Sequence, residues 1–124
     1  EASASTPHGD TVRILLLEDS PMMAATVVMA LDSEGHDTVH VLTVAEAFRA
    51  LGDDIAFDVA LLDVELGDEL SFDLAHHLGK IGLRFMFTSA RDPNLMPPEF
   101  SEAPYLRKPY DLAHLFRALH ELRA

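Results

Sequence analysis

Phe57-Asp58-Val59-Ala60-Leu61-Leu62-Asp63 is an apolar run that stops on a carboxylate. Val59 to Leu62 show no polar alternation, so both faces of this segment are expected to be buried, as in a central strand of a parallel sheet. Upstream, Val12-Arg13-Ile14-Leu15-Leu16-Leu17 has the same character and stops on Glu18-Asp19. Downstream, Leu83-Arg84-Phe85-Met86-Phe87 stops on Thr88, and the short Tyr105-Leu106-Arg107 stops on Lys108-Pro109. Residues 36–42 are rich in β-branched side chains and read as a weaker strand nearer an edge.

Helical patterns fill the intervals. Ser20 before Pro21 is a helix start, with Met22, Met23, Val27, Val28 and Leu31 following and Gly35 as a stop. Thr43 and Glu46 have capping-box spacing and open a helix whose Val44, Ala47, Phe48 and Leu51 share one face, closed by Gly52. After a loop over residues 64–70, Ser71 is the expected cap of a helix with Phe72, Leu74, Ala75 and Leu78 inward, ending between Gly79 and Gly82. Asp111 caps the last helix, in which Leu112, Leu115, Phe116, Leu119 and Leu122 fall at helical spacing. Residues 89–103 differ. Pro93, Pro97 and Pro98 each remove a donor and leave room for a turn or two, not a regular helix.

Five strands alternating with helices predict a flavodoxin-like (βα)5 doubly wound parallel sheet, strand order 2-1-3-4-5, with an irregular, proline-broken fourth helix. The 124 residues amount to one domain, placed at 11–124, with the polar residues 1–10 as a disordered lead-in that lacks the order of a signal peptide. At 48% hydrophobic the chain can bury a core. A net charge of −12 argues against direct nucleic-acid binding, and no apolar stretch is long enough to cross a bilayer. The absence of cysteine excludes disulfides and thiol chemistry and suits a reducing cytoplasm.

In open α/β sheets, ligands bind beyond the carboxyl ends of the strands. There this chain carries Glu18, Asp19, Asp63, Thr88 and Lys108, while strand two is expected to contribute nothing. Three acids together call for a cation, and hard oxygen donors suit Mg²⁺. A carboxylate such as Asp63 can attack phosphorus to give an acyl phosphate. The three equatorial oxygens of the transferred group would be met by Mg²⁺, the Lys108 ammonium, and the Thr88 hydroxyl with a backbone N–H. Ser89 is small enough to leave that space open.

With these residues in this order, the chain resembles the receiver domains of two-component response regulators from Val12 to Leu122. That family carries an acidic pair after strand one, a phosphorylated Asp after strand three, Thr or Ser after strand four, and Lys-Pro after strand five. The resemblance implies a bacterial phosphoprotein that accepts a phosphoryl group on Asp63 from a histidine kinase or histidine phosphotransfer protein. It further implies Mg²⁺ bound by Glu18, Asp19, Asp63 and the backbone carbonyl of Glu65, and no enzymatic activity beyond the domain's own phosphotransfer and dephosphorylation. Thr88 and Tyr105 would act as switch residues toward a downstream protein. The segment after Arg91 is similar to that of stand-alone bacterial receivers, which is short and mobile, and departs from the helix used by others to dimerise. Two settings stay open, a stand-alone regulator or a receiver cut from something larger. Two other functions compete with this one: a pseudo-receiver that only binds a partner, and a small Asp-nucleophile phosphatase, for which Glu65 would be the second acid. The seven histidines are read as surface or satisfied groups, and Met22, Met23 and Met29 as core filling.

Overall fold

A computed structural model describes residues 11–53 and 55–123. The reading of residues 1–10 as a lead-in concerns residues outside that range. Five parallel strands form one sheet: β1 (Arg13–Leu17), β2 (Asp37–Val41), β3 (Val59–Asp63), β4 (Arg84–Ser89) and β5 (Tyr105–Arg107), in the order β2-β1-β3-β4-β5. Helices α1 (Pro21–Ser33), α2 (Val44–Gly52), α3 (Phe72–Ile81) and α4 (Leu112–Arg123) connect and flank them. The predicted doubly wound order is the one observed. Among the described residues, no helix is long and apolar enough to cross a membrane.

The continuous apolar strands divide their side chains between two cores. Leu15, Leu17, Ala60, Leu62 and Phe87 pack toward α2 and α3, whereas Ile14, Leu16, Val59, Leu61 and Met86 pack toward α1 and α4. Burial on both faces is why no polar alternation is visible in these strands. It also fixes the register, since a one-residue slip would exchange the two cores.

Local signals set most helix ends. The Ser20 hydroxyl accepts from the Met23 N–H (3.3 Å), and Thr43 Oγ1 accepts from the Glu46 N–H (3.1 Å). Glu46 reaches back to the Leu42 N–H (3.0 Å), one residue short of a closed capping box. Asp111 Oδ1 accepts from the His114 N–H at 2.8 Å, as its position predicted. Ser71 departs from expectation: it stands at the N-cap position of α3, but its hydroxyl is buried and caps nothing. The chain there is held through its backbone, with the Ser71 N–H donating to the Val64 carbonyl (3.1 Å). The expected loop over 64–70 contains a small antiparallel hairpin, Glu65–Leu66 against Glu69–Leu70, turning at Gly67 with φ +63°.

Between β4 and β5 the three prolines leave two single 3-10 turns, Pro93–Leu95 and Pro98–Phe100. Two buried side chains, Met96 and Phe100, replace the apolar face a helix would have supplied. The Phe100 ring lies 5.5 Å from Phe72 and 5.2 Å from Phe87, and such aromatic pairs add about 0.5–1.5 kcal/mol each beyond burial. His76 on α3 reaches Glu99 at 3.0 Å across the same junction.

Helix α1 corrects a further expectation. Met22 and Met29 are 82% and 73% exposed and are not core filling; Ala24, Val27, Ala30 and Leu31 face inward instead. Residues 21–31 carry no charge, so α1 presents an uncharged outer face on a strongly acidic protein. Phe48 likewise turns out of the α2 core face and packs on His77, with ring centroids 5.3 Å apart.

Candidate functional site

Parallel register brings the polar strand ends to one edge. Leu17 pairs with Leu62, Asp63 with Thr88, and Ser89 with Arg107, so the residues following β1, β3 and β5 meet around Asp63. Glu18 and Asp63 are only 4% and 6% exposed, Thr88 and Ser89 are also buried, and Asp19 opens to solvent. The backbone pins each position. The Glu18 N–H donates to the Val41 carbonyl (3.2 Å), the Val64 N–H to Thr88 (3.1 Å), and the Lys108 N–H to Ser89 (2.8 Å). The Lys108–Pro109 peptide is cis.

Glu18, Asp19 and Asp63 each offer a carboxylate oxygen within 4.8 Å of the others. Lys108 Nζ lies 2.9 Å from Glu18 Oε1 and 3.4 Å from Asp63 Oδ2. One ammonium against three carboxylates leaves the site short of positive charge, and the titration reflects that. Desolvation first, and then the neighbouring Glu18 charge, push the Asp63 pKa up to about 7 despite the opposing pull of Lys108. For Lys108, burial works against the charged form, but the hydrogen bond to Glu18 and the charges of Asp63 and Glu18 outweigh it and raise its pKa. Three hard oxygen donors, two of them buried and one at the solvent edge, fit a divalent cation that keeps part of its own hydration.

No protein-family model matches the chain, and no curated protein does. Solved structures do. The receiver domain of the TMAO respiratory system response regulator TorR superposes with a TM-score of 0.77 over 89% of this chain and 94% of its own, a likeness in fold alone at 23% identity. SdrG from Sphingomonas melonis Fr1 is 31% identical, with a TM-score of 0.78 over 92% of this chain and 98% of SdrG. The BeF3-activated conformation of SdrG, from Pseudomonas melonis Fr1, matches at 31% identity and a TM-score of 0.78, over 90% of this chain and 96% of that one. The chain belongs to the response-regulator receiver domains.

In this receiver, four of the sequence-derived site residues converge directly: Glu18, Asp19, Asp63 and Lys108. Thr88 stands beside Asp63 as its partner on β4. Glu65 lies two residues past Asp63, and its side chain pairs with Arg91, with Nη2 to Oε2 at 2.8 Å. Tyr105 is half-buried against the α2/α3 core, and its hydroxyl donates to the Arg91 carbonyl at 2.8 Å.

Two participants escaped the sequence reading. Strand two was expected to contribute nothing, yet His40 on β2 brings Nε2 to 2.8 Å from the Glu18 carbonyl and steadies the acidic turn. Position alone hid it: a histidine among β-branched residues gives no sign of a contact reaching sideways to the next strand. The other is Arg91, held by the Ser89 hydroxyl, Glu65 and Tyr105 together. Its partners lie 2, 26 and 14 residues away, a pattern with no periodicity to detect.

Beside the acidic turn, Met22, Met23 and Val27 of α1 form an apolar groove with Pro109, Tyr110 and Leu112. It starts at Ser20, next to Asp19, and lies between the first turns of α1 and the approach to α4.

Proposed function

We propose that this receiver is the phosphoacceptor of a two-component phosphorelay, taking a phosphoryl group on Asp63 from a phosphohistidine of a histidine kinase or histidine phosphotransfer protein. The observation that carries the reading is Asp63 itself, a nearly buried carboxylate grouped with two other acids, with the Lys108 ammonium 3.4 Å away and shared with Glu18. The resident ion would be Mg²⁺, held by Glu18, Asp19, Asp63 and the Glu65 carbonyl. When bound, it neutralises carboxylate charge and one phosphoryl oxygen.

Asp63 supplies an oxygen lone pair to phosphorus as the donor P–N bond breaks. The bonding electrons leave with the imidazole nitrogen, which takes up a proton, and the product is an acyl phosphate on Asp63. Lys108, already poised between Glu18 and Asp63, turns to a second phosphoryl oxygen, and the Thr88 hydroxyl meets the third. Hydrolysis by water returns Asp63 and inorganic phosphate. Tyr105, tied through its hydroxyl to the segment after β4, is the residue through which a movement of Thr88 would reach the surface. That SdrG has a BeF3-activated conformation supports this reading, because beryllium trifluoride has the shape and charge of a phosphoryl group.

The test is intact mass after incubation with Mg²⁺ and a small phosphoramidate. The parent gains one phosphoryl group, and Asp63→Asn gains none. A parent that stays unmodified overturns the proposal in favour of a partner-binding pseudo-receiver, and turnover of many equivalents of a simple phosphate ester would make it a phosphatase.

A protein donor is supported by the apolar groove beside the site and the exposed, uncharged Met22–Met29 face. Met22→Glu is expected to slow phosphotransfer from a protein donor by about tenfold or more, since a charge in an apolar contact is costly, while uptake from a phosphoramidate keeps the parent rate. Equal slowing with both donors would remove α1 from the docking surface.

A further inference from the structure

We propose that Arg91 sets how readily Asp63 gains and loses its phosphoryl group, by pairing with the Glu65 carboxylate two residues past the acceptor; this rests on Asp63 being the phosphoacceptor. Asp63 and Thr88 are partners at the ends of β3 and β4. Glu65 lies two residues beyond the first and Arg91 three beyond the second, so their 2.8 Å ion pair ties together the two loops that leave the site.

An isolated ion pair at this exposure would be worth little, because two long side chains must be ordered for a screened attraction. Here the arginine is anchored before the pair forms. Its N–H donates to Ser89 Oγ (3.0 Å), and its carbonyl accepts from the Tyr105 hydroxyl (2.8 Å). With both sides of the residue's backbone fixed, less freedom remains to be lost when the guanidinium meets Glu65.

Charge decides what the pair does. Glu18, Asp19 and Asp63 already outnumber Lys108, and a phosphoryl donor brings roughly two further negative charges. A Glu65 carboxylate released from Arg91 would add a fourth acid two residues from the acceptor. It would repel the arriving phosphoryl group, and it could accept a proton from water attacking the acyl phosphate. Arg91 is thus a positioning residue: its hydrogen-bond contacts are to Ser89, Glu65 and Tyr105, and it acts through Glu65.

Four variants test this on the full chain with Mg²⁺ and a phosphoramidate, following phosphoryl gain and loss by intact mass: Arg91→Ala, Arg91→Lys, Glu65→Gln and Arg91→Ala with Glu65→Gln. Arg91→Ala is expected to slow uptake about three- to tenfold, the range of a modest like-charge penalty, and to shorten the acyl-phosphate half-life. Arg91→Lys keeps the charge without the planar fork and falls between. The double variant returns to near the parent rate, and 0.5 M salt narrows the gap between Arg91→Ala and the parent, as screening at about a 4 Å Debye length requires. A loop merely loosened by losing Arg91 would be rescued by neither. Parent-like uptake by Arg91→Ala, or no rescue by Glu65→Gln, overturns the proposal while leaving Asp63 as acceptor. A parent that takes up nothing removes both.

Discussion

Asp63→Asn is expected to melt about 5 °C higher than the parent at pH 8 without divalent metal, while taking up no phosphoryl group. The carboxylate is held against its preference. Its pKa lies near 7, raised mainly by burial and then by Glu18, so at pH 8 the folded protein keeps a charge there that the unfolded chain carries more easily. A raised folded-state pKa means that the stabilising effect is complete below about pH 4, where both states are protonated or nearly so, and is lost as pH rises through about 7. Three units at ~1.4 kcal/mol each set a ceiling of about 4 kcal/mol on the cost of ionisation. The pull of Lys108 is already contained in that figure; local relaxation around the carboxylate and the imperfect fit of an amide in its place leave on the order of 1–2 kcal/mol. For a domain of this size that is several degrees. Thermal scans of both proteins in chelator from pH 4.5 to 8 check the sign: the difference should grow with pH. Mg²⁺ should then raise the parent's melting temperature more than the variant's. An Asp63→Asn protein less stable than the parent at pH 8 would refute the charge account.

Lys108→Ala should move stability the other way. Its ammonium is the near neighbour of both Glu18 and Asp63, and removing one member of a buried ionic cluster costs about 3–5 kcal/mol, because the carboxylates stay behind. The loss should be largest above pH 7 in chelator and recover in part with Mg²⁺ or on acidification, when Asp63 takes up a proton. Phosphoryl uptake should fall by about 10²–10³, the usual effect of deleting one preorganised donor to a transferring group. Lys108→Arg separates the two effects, since it keeps the charge but not the compact head. It should recover most of the stability and little of the uptake rate. Equal recovery of both would show that only net charge matters at that position.

These expectations rest on residues that the sequence announces unusually clearly. Strands β1 and β3 are buried on both faces, so they read as unbroken apolar runs, and each ends abruptly where the sheet stops and the polar site begins. Glu18, Asp63 and Thr88 are conspicuous because they end such runs. Helix α1 lacks that contrast. With no charge from residue 21 to residue 31, every face looks apolar, and the methionines that face solvent cannot be told from the valine and leucine that face the sheet. Ser71 shows the opposite limit, a cap residue by type and position whose hydroxyl has no cap to make once the preceding hairpin directs the chain. Prolines exclude a helix after β4, but what an irregular segment buries follows no period, so Met96 and Phe100 could not be assigned to the core. His40 and Arg91 act through contacts between distant parts of the chain.

The two short turns between β4 and β5 also have a thermal meaning. Their amides are bonded three residues back within single turns, outside any ladder, as in Leu95 to Asp92 and Phe100 to Pro97. Amides held in this way exchange with solvent by local opening, at a free energy well below that of unfolding the sheet. The stretch between Arg91 and the approach to Tyr105 can therefore rearrange as a small cooperative unit, at the cost of the Met96 and Phe100 core contacts, while β1 and β3 keep the acidic turn and Asp63 in register. A rearrangement beside the acceptor would then draw on the stability of a few turns, not on that of the whole protein.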